Sequence, residues 1–470
     1  MSARASEAPK SRSRDGKAAD PRWTLAATIL ASSLSFVDGS VLNVALPAIR
    51  ASYGAGAAEV QWVVNAYLLP LSALLLLGGA LGDHYGRRLL LVIGTSLFGI
   101  ASLVCALAPS LEILLAARAA QGVGAALLLP NSLALLNAAY QGEKRGKAVG
   151  IWAAAGAAAA AVAPLIGGWL VDHVGWPSIF YINLPLAAGA ILLAVRFVTE
   201  SKDSGAARTD YAGAFLATAG LGGTTYGLTL WSSSGSLTAT AFVTIVVGFV
   251  LLIVFLAVES RRGDKAMMPL GMFADPCFSG LNLLTLLLYG AFGVAMLLIP
   301  YVLIEAAGYS PVEAGLALLP LPILLTLASP PMGQLAARIG PRWPLIIGPL
   351  VVGAGMLLGQ RIGAETNYWF AAFPAITVMS IGMAIAVAPL TSSVLGSVEE
   401  KHVGTASGFN SAVARTGGLI ATALLGVVLS REGDALIDGF HLALIGAAVA
   451  AAGASLSALF LVGNVKMREV

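Results

Sequence analysis

Residues 78–91 read GGALGDHYGRRLLL and hold one of the few clusters of charge in a strongly apolar chain. Asp83, Arg87 and Arg88 stand between two long apolar runs, on glycines repeated at 78, 82 and 86. A spacing of four puts these glycines on one helix face, a stripe that lets a second backbone approach closely. Asp83 beside the stripe could meet the N-terminus of a neighbouring helix, where partial positive charge favours an anion. A plain basic loop with incidental glycines is the other reading of the same residues.

The surroundings decide the solvent. Of 470 residues, 58% are hydrophobic and 11% charged, and the mean hydropathy is +0.85. Soluble domains carry about 25% charge, so most of this surface must face lipid. A helix needs about 20 apolar residues to cross a bilayer core. Such runs occur at 23–47, 58–81, 89–108, 111–137, 148–171, 179–198, 212–230, 238–258, 278–304, 314–335, 343–358, 369–395, 404–429 and 440–462. They are too long, and too little alternating, for barrel strands. The expected fold is an all-α polytopic membrane protein with 14 transmembrane helices.

Orientation follows from basic residues in short loops. Of the 27 Lys and Arg, all but five lie on the side that carries both termini. Arg50, Arg361 and Arg431 lie opposite, and Arg118 and Arg415 fall within spans. Both termini are therefore expected in the cytoplasm. Residues 1–22 read as a basic cytoplasmic tail; the run that follows is too long for a cleaved signal and contains Asp38. Cys105 and Cys277 fall in different halves, which predicts no disulfide.

Several function classes drop out. The net charge of +3 belongs mostly to the cytoplasmic loops and gives no sign of nucleic acid. There is no GxxxxGK[ST] loop for ATP. The four histidines are dispersed and no metal cluster is visible, so neither metal nor bound cofactor is expected. Nothing frames a catalytic nucleophile, and the loops are too short for a soluble domain.

The pattern Gly79–x–Leu81–x–Asp83–x–x–Gly86–Arg87–Arg88–x–x–Leu91 resembles the loop motif of the major facilitator superfamily. VDGSVLNVALP (37–47) resembles the first-helix motif of that family's fourteen-span drug–proton antiporters. RAAQGVGAA (118–126), with Gln121 and Gly122, resembles its fourth-helix motif. APLIGG (163–168), with Pro164, Gly167 and Gly168, resembles the fifth-helix antiporter motif. GWPSIFYINLP (175–185) and GMAIAVAPLTSSVL (382–395) fit the same branch. Three positions depart from it: Ala163 stands for Gly, Pro177 for Arg, and Glu305 adjoins Ile304 where a polar residue is usual. The resemblance implies that Gly79, Gly82, Asp83, Gly86, Arg87 and Arg88 clamp the two halves in an outward-facing state. The expected partner of Asp83 is the N-terminal turn of the thirteenth span, around Gly404, Thr405 and Ser407.

An internal repeat gives the organisation. MGQLAARIGPR (332–342) echoes the opening stretch, with Ala337 where Asp83 would stand. The matching glycines, 79 and 333, are 254 residues apart. Removing an inserted pair of about 60 residues leaves roughly 190, the length of six spans with short loops. The chain divides into the tail 1–22, a six-helix bundle 23–200, an inserted pair 201–262 and a second six-helix bundle 263–470.

Charges inside a membrane are costly and are candidates for function. Asp38 lies 15 residues beyond Trp23, roughly 22 Å along its helix, and Arg118 lies roughly 12 Å from the outer end of its own. These depths nearly coincide, so the two can pair. The pair is either a structural ion pair or the site where Asp38 takes up and releases a proton; the resemblance adds Arg118 to proton coupling. Glu305 is a further proton-coupling candidate, or an interfacial charge. Arg415 lies too deep to reach water easily and is expected to have a partner. Gln61, Trp62, Asn65, Tyr67, Asn282, Tyr289, Phe292, Phe409, Asn410 and Arg415 are candidate lining for an apolar midplane cavity.

The expected function is efflux of small amphipathic compounds, such as drugs, antiseptics or dyes, across the cytoplasmic membrane by proton antiport. The protein is expected to act as a monomer, with the proton as coupling ion. Export of one endogenous metabolite or self-made antibiotic is the alternative. A membrane enzyme or receptor is a remote third.

Overall fold

The computed structural model describes residues 21–140, 142–202, 210–263, 268, 270–365, 367–398 and 403–462. Most of the basic tail and the chain end from 463 lie outside the described residues. Among the described residues there is no strand. An apolar chain in lipid must satisfy every backbone group internally, and helices do so within one segment.

The helices are α1 Pro21–Tyr53, α2 Ala57–Tyr85, α3 Arg87–Ala106, α4 Leu111–Ala139, α5 Gly142–His173, α6 Ser178–Tyr181 and α7 Asn183–Phe197. Next come α8 Tyr211–Ser234 and α9 Ala239–Arg262. The series closes with α10 Pro276–Glu305, α11 Pro311–Ala317, α12 Pro320–Ile339, α13 Arg342–Leu358, α14 Phe373–Gly396, α15 Val403–Ala423, α16 Gly426–Leu429 and α17 Gly433–Leu461. Helix covers most of every segment expected to span, and twelve segments are long and apolar enough to cross a membrane on length and composition.

Helices α8 and α15 fall outside those twelve. Both spend their surface on other helices. In α8, Gly220, Gly223 and Gly227 lie against the backbone of α9 around Ala241, Thr244 and Gly248. In α15, Gly417 sits against the Leu286 carbonyl of α10. Side chains this small permit close packing but contribute little hydropathy. Helix α9 does the reverse, exposing Phe242, Val246, Phe249, Val250 and Ile253 as a lipid face.

Helices α1–α7 pack among themselves, and so do α10–α17. The two sets meet along α2–α15 and along α5–α11–α12, while α8 packs on α2 and α15. Breaks shape the site. The α6–α7 step brings Asn183 to the start of a helix, and Pro320 opens α12 directly after α11. Neither cysteine is in a disulfide; both are buried.

Candidate functional site

Four helices and the α6–α7 step build a polar cluster inside the first bundle. Asp38 and Arg118 are 1% and 0% exposed. Arg118 donates from Nη1 to Asp38 Oδ2 at 2.5 Å and to Gln121 Oε1 at 2.8 Å, and from Nε to the Val63 carbonyl at 3.1 Å. Arg118 and Gln121 share a helix face because they are three residues apart. Gln121 donates to Ser102 at 2.7 Å. Asp38 Oδ1 receives only long contacts, 3.4 Å from Gln121 and 3.5 Å from Asn183. That oxygen is the less satisfied of the two. The Arg118 guanidinium lies 4.5 Å from the centroid of the Tyr67 ring, whose hydroxyl is 2.6 Å from Ser35 Oγ.

Glycine permits this convergence. A Cβ on Gly122 would overlap the Tyr67 carbonyl, so α4 reaches α2 only with Gly there. Gly94 and Gly124 bring α3 and α4 together in the same way, which carries Ser102 to the cluster.

The glycine stripe of the opening motif packs on α4. A Cβ on Gly78 would meet the Ala126 carbonyl, and one on Gly82 the Asn131 side chain. Gly79 lies beside Pro130. Gly86 adopts φ +128, which a side chain would strain, and it lies beside the Glu200 carboxylate. Asp83 pairs with Arg87 at 2.8 Å, and Arg87 also donates to Ser201 at 3.1 Å. Glu200 accepts from the Arg88 and Leu89 amides at 2.9 and 3.1 Å, an anion on the N-terminus of α3. Among the described residues, no hydrogen bond or ion pair joins Asp83 to Thr405 or Ser407; the acid pairs with Arg87 of its own bundle.

Polar contacts between the bundles gather at the end away from the described chain termini. Arg50 donates to the Tyr301 hydroxyl at 2.7 Å and lies 3.7 Å from Glu432. The Val312 amide donates to Asp172 at 3.2 Å. A Cβ on Gly168 would overlap the Pro311 carbonyl, and one on Gly315 the Pro164 carbonyl. Gly167 receives Val41 of α1.

The expected midplane cavity divides. Gln61 donates to the Thr422 carbonyl at 2.8 Å and serves the seam between bundles. Trp62 turns to Tyr226 of α8, with ring centroids 6.1 Å apart. Asn410 donates to Thr285 at 2.7 Å and to Asn282 at 3.2 Å, tying α15 to α10. Asn282 and Phe409 line a lateral cavity of about 520 Å³ between α2, α8, α9, α10 and α15. Asn65 is buried with both amide atoms unpartnered. Tyr67, Tyr289 and Arg415 remain together, and Phe292 is half-buried one turn beyond Tyr289 on α10. Glu305 is exposed at the end of α10, and among the described residues no hydrogen bond or ion pair links it to Asp38. An adjacent span end leaves a long acid side chain free to reach water.

A second carboxyl cluster was not foreseen. Asp210 caps α8, accepting from the Gly213 amide at 2.7 Å, and pairs with Arg262. Glu259 is 0% exposed and accepts from the Met268 amide at 2.6 Å. The remaining oxygens, Asp210 Oδ2 and Glu259 Oε1, are both buried without an N–H partner and lie together beside Gly213. One proton held between them satisfies both. Burial pushes the Asp210 carboxyl up, but hydrogen bonds from Glu259, the Gly213 amide and Arg262 outweigh it and hold the group below the usual range.

The Major Facilitator Superfamily model matches residues 28–278 and 281–469. The chain belongs to the major facilitator superfamily. It is 34% identical over 417 residues to the multidrug resistance protein Stp of Mycobacterium tuberculosis, covering 88% of this chain and 77% of that protein. It is 30% identical over 429 residues to the tetracenomycin C resistance and export protein of Streptomyces glaucescens, covering 89% and 78%. Among solved structures, a POT family transporter in complex with a thioalcohol-conjugated peptide superposes with a TM-score of 0.71 at 14% identity, covering 95% of this chain and 97% of that one. That likeness shows the fold alone. As a superfamily member this is a transporter, a multi-pass protein of the cytoplasmic membrane.

Proposed function

We propose that this superfamily member exports small amphipathic compounds from the cytoplasm in exchange for protons. The proposed arrangement is fourteen spans as six, two and six, with both termini cytoplasmic. The observation that carries it is the Asp38–Arg118 pair. Among the described residues, Asp38 is the one carboxylate near the middle of a long apolar helix, and its Oδ1 lacks a short partner. Protonating it removes the charge that holds Arg118 and leaves the guanidinium to Gln121, Val63 and the aromatic rings. Such a rearrangement can bias which face of the bundle pair is open. The resistance named in relatives such as Stp supports an efflux direction. With this orientation, the contacts at Arg50, Asp172 and Gly168 close the outer face, and the Asp83 latch would engage in the opposite state.

One proton entering down about 150 mV contributes roughly 3.5 kcal/mol, enough for a few hundred-fold gradient of a neutral solute. The test is a growth screen in an efflux-deficient host expressing this chain across a panel of amphipathic antibiotics, antiseptics and dyes. Raised tolerance that a protonophore abolishes in dye-efflux assays supports the reading. Full expression with no change in tolerance or dye retention contradicts it.

A further inference from the structure

Arg415 sits twelve residues into α15, roughly 18 Å along it, near the level where spans cross the bilayer middle. It is half-buried, with no ion pair and no hydrogen bond among the described residues. The groups that face it are the hydroxyl-bearing rings of Tyr67 on α2 and Tyr289 on α10. Asn410, on the same helix, is held by Asn282 and Thr285. Tyr67 also stacks with Arg118, whose charge Asp38 already neutralises at 2.5 Å. Among the described residues, the space between the bundles therefore carries one uncompensated positive charge at Arg415. An isolated cation in a region of low dielectric is unfavourable unless a counter-charge arrives.

We propose that this counter-charge is supplied by the substrate: the space between the bundles takes amphipathic anions, with a carboxylate, sulfonate or acidic phenol placed on Arg415. The guanidinium fork matches such a group in two parallel hydrogen bonds, and a Tyr289 hydroxyl can donate a third. Phe292 stands one turn further along the same face of α10 and offers apolar surface to the body of the ligand. Tyr67 adjoins both this anion site and the Asp38–Arg118 pair, which places bound substrate near the coupling residues. The inference rests on the efflux reading above and narrows its substrate class. It also has an energetic consequence: exporting an anion moves charge in the direction an inside-negative potential favours. Each such charge adds about fifty-fold to the attainable gradient per 100 mV.

The test uses three probes that share one fluorophore: dansyl-6-aminohexanoate, its methyl ester, and cationic dansylcadaverine. Binding to the full chain in phosphatidylcholine nanodiscs is read by energy transfer from tryptophan. Wild type is expected to bind the anion at least tenfold more tightly than the ester or the cation. Arg415→Gln is expected to erase that preference, and Arg415→Lys, which keeps the charge, to retain part of it. Equal affinity for all three probes in wild type overturns the inference, as does an anion preference that survives Arg415→Gln. Repeating the titration with phosphatidylglycerol in the disc checks the other source of an acid group. If that lipid abolishes the anion preference, a lipid phosphate is the resident counter-ion and the substrate assignment falls. Proton-driven uphill movement of the ester without any anion preference would defeat this inference and leave the efflux reading standing. Anion-selective binding without any proton-driven movement would do the opposite.

Discussion

Substituting Gly168 or Gly315 with Ala should spring the outer seam open. In the conformation described, a Cβ at either position would sit closer to a carbonyl oxygen of the facing helix than real Cβ atoms come, and backbone cannot step aside as a side chain tip can. Overpacking of this kind costs about 1–3 kcal/mol. The cost falls on the closed seam alone, because separated helices have room for a methyl group. A bias confined to one state shifts the equilibrium by about 5- to 150-fold. Ala163, 3% exposed beside Pro164, provides the reporter. With Cys105 and Cys277 replaced, Ala163→Cys would be labelled in whole cells by a membrane-impermeant maleimide. Gly168→Ala and Gly315→Ala should each raise the labelling rate at least fivefold. Gly150→Ala, where no atom lies within 4 Å of the added group, should leave it unchanged. Unaltered labelling in both seam variants, at normal expression, would refute the claim that these glycines hold the outer face shut.

Two further outcomes follow from charged groups. Asp83→Asn should change thermal stability by no more than about 0.5 kcal/mol, because its half-exposed pair with Arg87 is a weak surface-type contact; transport should nevertheless fall if the acid latches the opposite state, and retained wild-type transport would exclude that role. Asp210→Ala should cost about 1 kcal/mol through loss of the α8 cap, seen as faster hydrogen exchange in the first turn of α8. Because the folded-state Asp210 carboxyl is held below its usual value, its contribution is complete above about pH 4 and is lost as pH falls further. Protection of that turn, corrected for intrinsic rate, should decline as pH falls below about 4.

Much of the scaffold is legible in the sequence because lipid leaves a coarse signal: an apolar run of the right length becomes a helix. The pairing of Asp38 with Arg118 was readable from depth alone, since two charges at one level of a bilayer have few other places to go. The glycine stripe was readable as a close-packing face, although not that Asn131 and Ala126 of α4 would fill it. Ser102 and Asn183 were missed because a single polar residue in an apolar run declares no direction; only the packed helices show Ser102 meeting Gln121 and Asn183 meeting Asp38. Asp210 and Glu259 stand at two helix ends far apart in sequence, and their meeting depends on how α8 and α9 close at that end. Neighbouring Gln61 and Trp62 were grouped together, yet 100° of helix rotation sends one to the bundle seam and the other to the inserted pair.

The most direct measurement of proton coupling uses purified protein in liposomes with an imposed proton gradient, following uphill movement of an exported dye together with proton flux. Wild type should concentrate the dye and move protons with it. Asp38→Asn should retain dye exchange between compartments of equal pH but lose both the gradient-driven accumulation and the coupled proton flux. Accumulation by Asp38→Asn at the wild-type level would contradict the assignment of the coupling proton to Asp38, and indifference of the wild type to the gradient would contradict proton antiport itself.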